Sequence, residues 1–147
     1  MKQLFQALVI ILLSAGFTFA GRTSATVKSA RQGIVREKSG RTPAQQKIDS
    51  QLLYALYRKR GEAESKGVPA GELRVRFDAK GRAIVAIRAR VTRALLAKIK
   101  RLGGEIVSAS EEYKDIQAHV PLEKLEELAA LKEVIAINPA DEATTDK

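Results

Sequence analysis

The amino-acid sequence predicts an α+β fold, a four-stranded antiparallel sheet with two helices packed on one face. Two observations carry this expectation. Residues 83–91 and 115–120 alternate apolar and polar side chains with period two, the pattern of strands that bury one face. Between and after them lie two stripes at helical spacing: Leu95, Ile99 and Leu102, then Leu122, Leu125 and Leu128. With short strands at 106–109 and 134–137 the order reads β-α-β-β-α-β. Right-handed crossovers in both βαβ halves place the two helices on one side. That arrangement is ferredoxin-like.

Residues 1–20 read as a secretory signal peptide. Lys2 gives a positive start, the stretch from Leu4 to Phe19 is mostly apolar, and Thr18, Phe19 and Ala20 put small residues at the cleavage positions. Cleavage is expected after Ala20, with the mature chain beginning at Gly21 in the periplasm or the medium and keeping no stable membrane association. Residues 21–41 carry Arg22, Lys28, Arg31, Arg36, Lys38 and Arg41 among small and polar residues. Their few apolar side chains cannot form a core, so this stretch reads as a disordered basic leader.

Residues 42–61 read as an accessory helix. Thr42 is its N-cap, Pro43 its first residue, and Gln45 can complete a capping box. Ile48, Leu52, Leu53, Ala55 and Leu56 form its apolar stripe. Arg58, Lys59 and Arg60 suit its C-terminal dipole, and Gly61 ends it. After a polar linker, Leu73, Val75 and Phe77 alternate with Arg74 and Arg76, and Asp78, Ala79, Lys80 and Gly81 form a hairpin turn. An extra N-terminal strand paired with the first core strand is therefore expected.

The main domain then spans residues 72–138. Thr92 caps its first helix, which Gly103 and Gly104 close. Pro121 opens its second helix, with acids in the early turns, and Pro139 stops the last strand. Glu123, Glu126 and Glu127 are most simply a solvated helix face. Residues 139–147 form a C-terminal tail.

Composition narrows the chemistry. There is no cysteine, which excludes disulfides, thiolate metal sites and a lipid-modified cysteine. Residues 21–104 hold 21 Lys and Arg against 6 Asp and Glu, whereas residues 105–147 hold 4 against 11. A basic front and an acidic rear can bind polyanions or neutralise one another within one folded body. His119 is the only histidine and falls, in strand phase, opposite the buried face; a surface histidine is the simplest reading. No Ser/His/Asp constellation can be assembled, so no enzyme activity, cofactor or metal is expected. RNA-binding versions of this architecture stack bases on aromatic residues of the central strands. Neither 83–91 nor 115–120 contains one, so no nucleic acid is expected as partner.

Several runs together resemble a known family. They are the stretch from Lys47 to Leu53, the Leu102, Gly103, Gly104, Glu105, Ile106, Val107 run, and Ile116, Gln117, Ala118, His119, Val120, Pro121. With Leu125 to Ala129 and Val134 to Ile137, the ordered apolar spacing over residues 45–138 is similar to the N-terminal propeptide of secreted subtilisin-like serine proteases, the peptidase inhibitor I9 type. The resemblance implies a ferredoxin-like domain that guides folding of a protease and inhibits it. It further implies a sheet that packs on two protease helices and a tail along the substrate cleft. On this chain the protease-binding residues would be Asn138, Pro139, Ala140, Asp141 and Glu142. The family places acids where they cap protease helix N-termini; here Asn138, Pro139 and Ala140 come first and the acids only afterwards. With Lys147 as the last residue, the domain is expected to act on a separately encoded protease or to be the front of a truncated precursor. The other reading is an exported basic protein that uses residues 21–60 on nucleic acid or anionic envelope surfaces.

Overall fold

The computed structural model describes residues 22–140, with side chains from residue 31 onward. The expected signal peptide lies outside the described residues. No helix among the described residues is long and apolar enough to cross a membrane.

Four strands form one antiparallel open sheet in an α+β fold: β1 (Ala83–Ala89), β2 (Glu105–Ser110), β3 (Asp115–Val120) and β4 (Val134–Pro139), in the spatial order β2-β3-β1-β4. Strand β1 is central. Its Val85 and Ile87 stand opposite Ala118 and Ile116 of β3, and Ile87 also stands opposite Ile137 of β4. Alternation does what the sequence predicts. Ala83, Val85, Ile87 and Ala89 are buried, as are Ile116, Ala118 and Val120, while the residues alternating with them are not.

The buried face is covered by helices. α4 (Arg93–Arg101) presents Leu95 and Ile99 to the sheet, and the Thr92 hydroxyl accepts from Leu95 N at 3.1 Å to cap it. Gly103 leaves the helix at φ 81°, and a side chain on Gly104 would start 2.7 Å from Ile99 Cγ2. The Gly-Gly close therefore answers both a left-handed turn and a tight approach. The second crossover begins with a 3-10 turn (Leu122–Lys124) and runs into the short α5 (Leu125–Ala129), burying Leu122, Leu125 and Leu128.

The upstream region departs from expectation in three places. First, the accessory helix is two helices, α2 (Pro43–Gln46) and α3 (Ser50–Arg60). Between them Ile48 pairs in parallel with Ile137, with Asp49 N donating to Ile137 O at 2.8 Å and Ile137 N donating to Lys47 O at 2.7 Å. A helix cannot offer these groups sideways, so the chain opens here to cover the edge of β4. Asp49 then restarts the helix by accepting from Gln51 N. The Thr42 and Gln45 capping box forms as predicted.

Second, the segment expected as a disordered leader contains α1 (Arg22–Ser39). It needs no core of its own because its C-terminal end docks. Glu37, 6% exposed, is gripped by Arg41 through two hydrogen bonds of 2.7 and 2.8 Å and accepts from the Tyr54 hydroxyl at 3.3 Å. Arg41 also reaches Ser50 Oγ at 3.0 Å. Gly33 lies so close to the turn at Gly67 that a side chain there would meet Gly67 O at 3.3 Å. The sequence reading missed this because it asked whether the leader could make a core, not whether it could cover one. With α1 and the following turns on its outer side, α3 buries six consecutive residues, Leu52 to Tyr57.

Third, residues 73–77 make no strand. Contact with β1 is one bridge, Phe77 with Ala83, supported by Ile84 N donating to Arg76 O at 2.9 Å. The reason is topological: β3 and β4 already occupy both edges of β1, so an upstream strand can pair only where β4 has run out.

Candidate functional site

The face of the sheet away from the helices is open. Ile84, Ala86 and Arg88 of β1 stand on it, beside His119 and Gln117 of β3 and Asn138 of β4 in the ladder register. With the passing segment at Arg74 and Arg76 they line a concavity of about 840 Å³. Its floor is apolar at Ile84 and Ala86, and its rim is polar.

One end of this face is tied by a charged cluster. Asp78 accepts from the backbone N–H of Lys80 and of Arg82, both at 2.9 Å, which builds the hairpin turn. Its other oxygen takes Arg82 Nε at 2.7 Å and lies 3.2 Å from His119 Nδ1. Arg82 goes on to Glu105 Oε2 at 2.7 Å. Desolvation opposes the Asp78 charge, but the hydrogen bonds from Arg82 and Lys80 outweigh it and hold the carboxyl at about 2, below its ordinary 3.8. The hydrogen bond and charge of Arg82 likewise lower Glu105. His119 does lie opposite the buried face, as its strand phase predicts, but it is half-buried and engaged with Asp78 rather than free on the surface.

The acids expected as a solvated helix face do lie outward, Glu123 and Glu127 exposed and Glu126 half-buried, and each also has a cation partner. Glu123 meets Lys59, Glu126 meets Arg60 at 2.7 Å, and Glu127 meets Lys98 at 2.6 Å. Glu126 also accepts from Gln45 Nε2 at 2.6 Å, and these hydrogen bonds keep its carboxyl low against the opposing cost of its partial burial. Period and helix phase placed these acids outward correctly; which cation each would meet depends on how α3 and α4 pack beside α5, and that is not a local property.

Of the predicted protease-binding residues, Asn138 and Pro139 are the end of β4, opposite Ala86 and Val85 of β1. Ala140 continues the ladder, its N donating to Ile84 O at 3.0 Å and its O accepting from Arg76 Nη2 at 3.0 Å. All three line the concavity. Asp141 and Glu142 lie outside the described residues. Sequence reasoning missed Arg74, Arg76 and Arg88 as site residues, although the alternation that set them outward was already visible. It also missed the Asp78 cluster, whose signal was an Asp four residues before an Arg across a Gly-containing turn.

Chemically, the arrangement combines an apolar floor with hydrogen-bonding amides and guanidinium groups, bordered by residues 138–140. Among the described residues no group of His, Asp and Glu is placed to hold a metal ion. In comparisons with known proteins, the chain matches no family model, no curated protein and no solved structure.

Proposed function

We propose that this chain is a propeptide-like domain with a ferredoxin-like βαββαβ core, exported by residues 1–20, that inhibits a subtilisin-like serine protease, assists its folding, or both. The observation that carries the reading is the uncovered sheet face and its continuity with residues 138–140. Among the described residues nothing covers this face, and residues 138–140 leave along its border already extended by the ladder to β1. A segment pre-ordered in this way loses less entropy on entering a cleft than a free peptide would. The strand order β2-β3-β1-β4 and the order of the crossovers support the ferredoxin-like assignment. The resemblance across residues 45–138 supports the choice of protease.

The test is a titration of the purified protein against several subtilisin-like proteases, reading both residual hydrolysis and the yield of active enzyme refolded from denaturant. Slow tight inhibition or a raised yield is expected. Because Asn138 and Pro139 belong to the sheet, the informative truncation comes after Ala140. It should weaken inhibition while leaving the melting temperature of the domain unchanged. No effect on either readout at micromolar protein across the panel overturns the proposal.

A further inference from the structure

We infer that the open sheet face selects an acidic protein surface. The inference rests on the docking role proposed above and adds the chemistry of the partner. Many cations of this basic chain are engaged internally: Lys59, Arg60 and Lys98 by the acids beside them, Arg82 by Asp78 and Glu105. Two on the open face differ. Arg74 and Arg88 are exposed, both line the concavity, and neither makes an ion pair among the described residues.

The two carboxylates that line the same concavity, Asp115 and Asp49, each already accept a hydrogen bond. Asp115 stands opposite Arg88 in the ladder but accepts from Gln117 Nε2 at 2.9 Å. Asp49 caps α3 through Gln51 N at 2.7 Å. The face therefore offers two guanidinium groups in the same concavity as an apolar floor at Ile84 and Ala86. A guanidinium fits a carboxylate in a bidentate fork. Against a basic surface the same groups would be desolvated beside like charge, which is costly. The apolar floor, which has no aromatic residue on β1 or β3 on which a base could stack, favours a protein partner over nucleic acid.

The experiment compares the purified protein with an Arg74→Glu/Arg88→Glu variant whose fold is checked by thermal melting. Both are titrated against one subtilisin-like protease of acidic surface and one of basic surface. The wild-type protein should inhibit the acidic enzyme more tightly. That advantage should fall about tenfold or more in the variant, mainly through slower association. It should fall similarly when NaCl is raised from roughly 50 to 500 mM. Equal inhibition of both enzymes, unmoved by salt or by the variant, overturns the inference and leaves the docking role standing. If neither enzyme is inhibited, the docking role fails, and the face is probed alone with a polyglutamate peptide by amide NMR. Shifts at Ile84 and Ala86 that vanish in the variant sustain the inference. No shift, or a stronger response to duplex DNA of equal charge, overturns it.

Discussion

The two faces of the sheet are made from the same strands and obey different rules. On the covered face Val85, Ile87, Ile116, Val120 and Ile137 are wholly excluded from water and belong to one apolar cluster. On the open face each neighbouring position is half-buried or exposed, and its order comes from hydrogen bonds and charge: Asp78 to Arg82 and His119, Arg82 to Glu105, Asp115 to Gln117. One face is held by volume, where every methyl group counts. The other is held by directional contacts, most of which water can replace. Stability should therefore respond to substitutions on one side and binding to those on the other.

The strongest way to break that division is to open the covered side. Leu128→Ala removes a fully buried side chain from α5 and should cost about 2–5 kcal/mol, read as a lower urea midpoint with an unchanged slope. The buried ion pair should follow. Arg41→Ala leaves the Glu37 carboxylate, 1% exposed at the side chain, without its partner. Because α1 can undock rather than retain an unpaired charge, the expected loss is about 1–3 kcal/mol. It should appear as faster hydrogen exchange in α1 and at the Tyr54 end of α3, with the sheet amides still protected.

The open side is sharpened by pH. The Asp78 carboxyl is depressed in the folded protein, so its contribution is fully present above its ordinary value of 3.8 and is lost as pH falls through about 2. Stability should decline with acid across that window more steeply in the wild-type protein than in Asp78→Asn, measured by urea titration at a series of pH values. Equal slopes would assign the acid sensitivity to other carboxylates. The smallest effect is expected on the sheet itself: Arg88→Ala should move stability by no more than about 0.5 kcal/mol. A larger loss would mean that the two faces are not independent.

Period and capping residues were enough to read the elements from residue 83 to 120. The alternation at residues 83–91 and 115–120, the Thr92 cap and the Gly103, Gly104 close are local signals, and each stands where the sequence places it. What escaped was decided by distant partners. Lys47, Ile48 and Asp49 look helical until Ile137 claims their backbone groups. Residues 73–77 look like a strand until both edges of β1 are counted. Glu37 looks like one more charge in a polar leader until Arg41 and Tyr54 close over it. The open face was legible as a pattern of outward positions, but the guanidinium groups of Arg74 and Arg88 stood out only once the other cations had been assigned to their partners.

The pairing of Ile48 with Ile137 also sets an order of events. It joins the front of the described chain to its final strand, so the loop it closes contains nearly the whole domain. Such a contact forms only after its entropic cost is offset by pairing already made between β1, β3 and β4. Strand β4 is also the last of the four to be synthesised, so β1 gains its second neighbour only after the other three strands and both crossovers have been made. Until then the edge of β1 stands unpaired and α3 has only part of its bed. The bridge between Ile48 and Ile137 therefore belongs to the closing of the sheet and not to its beginning.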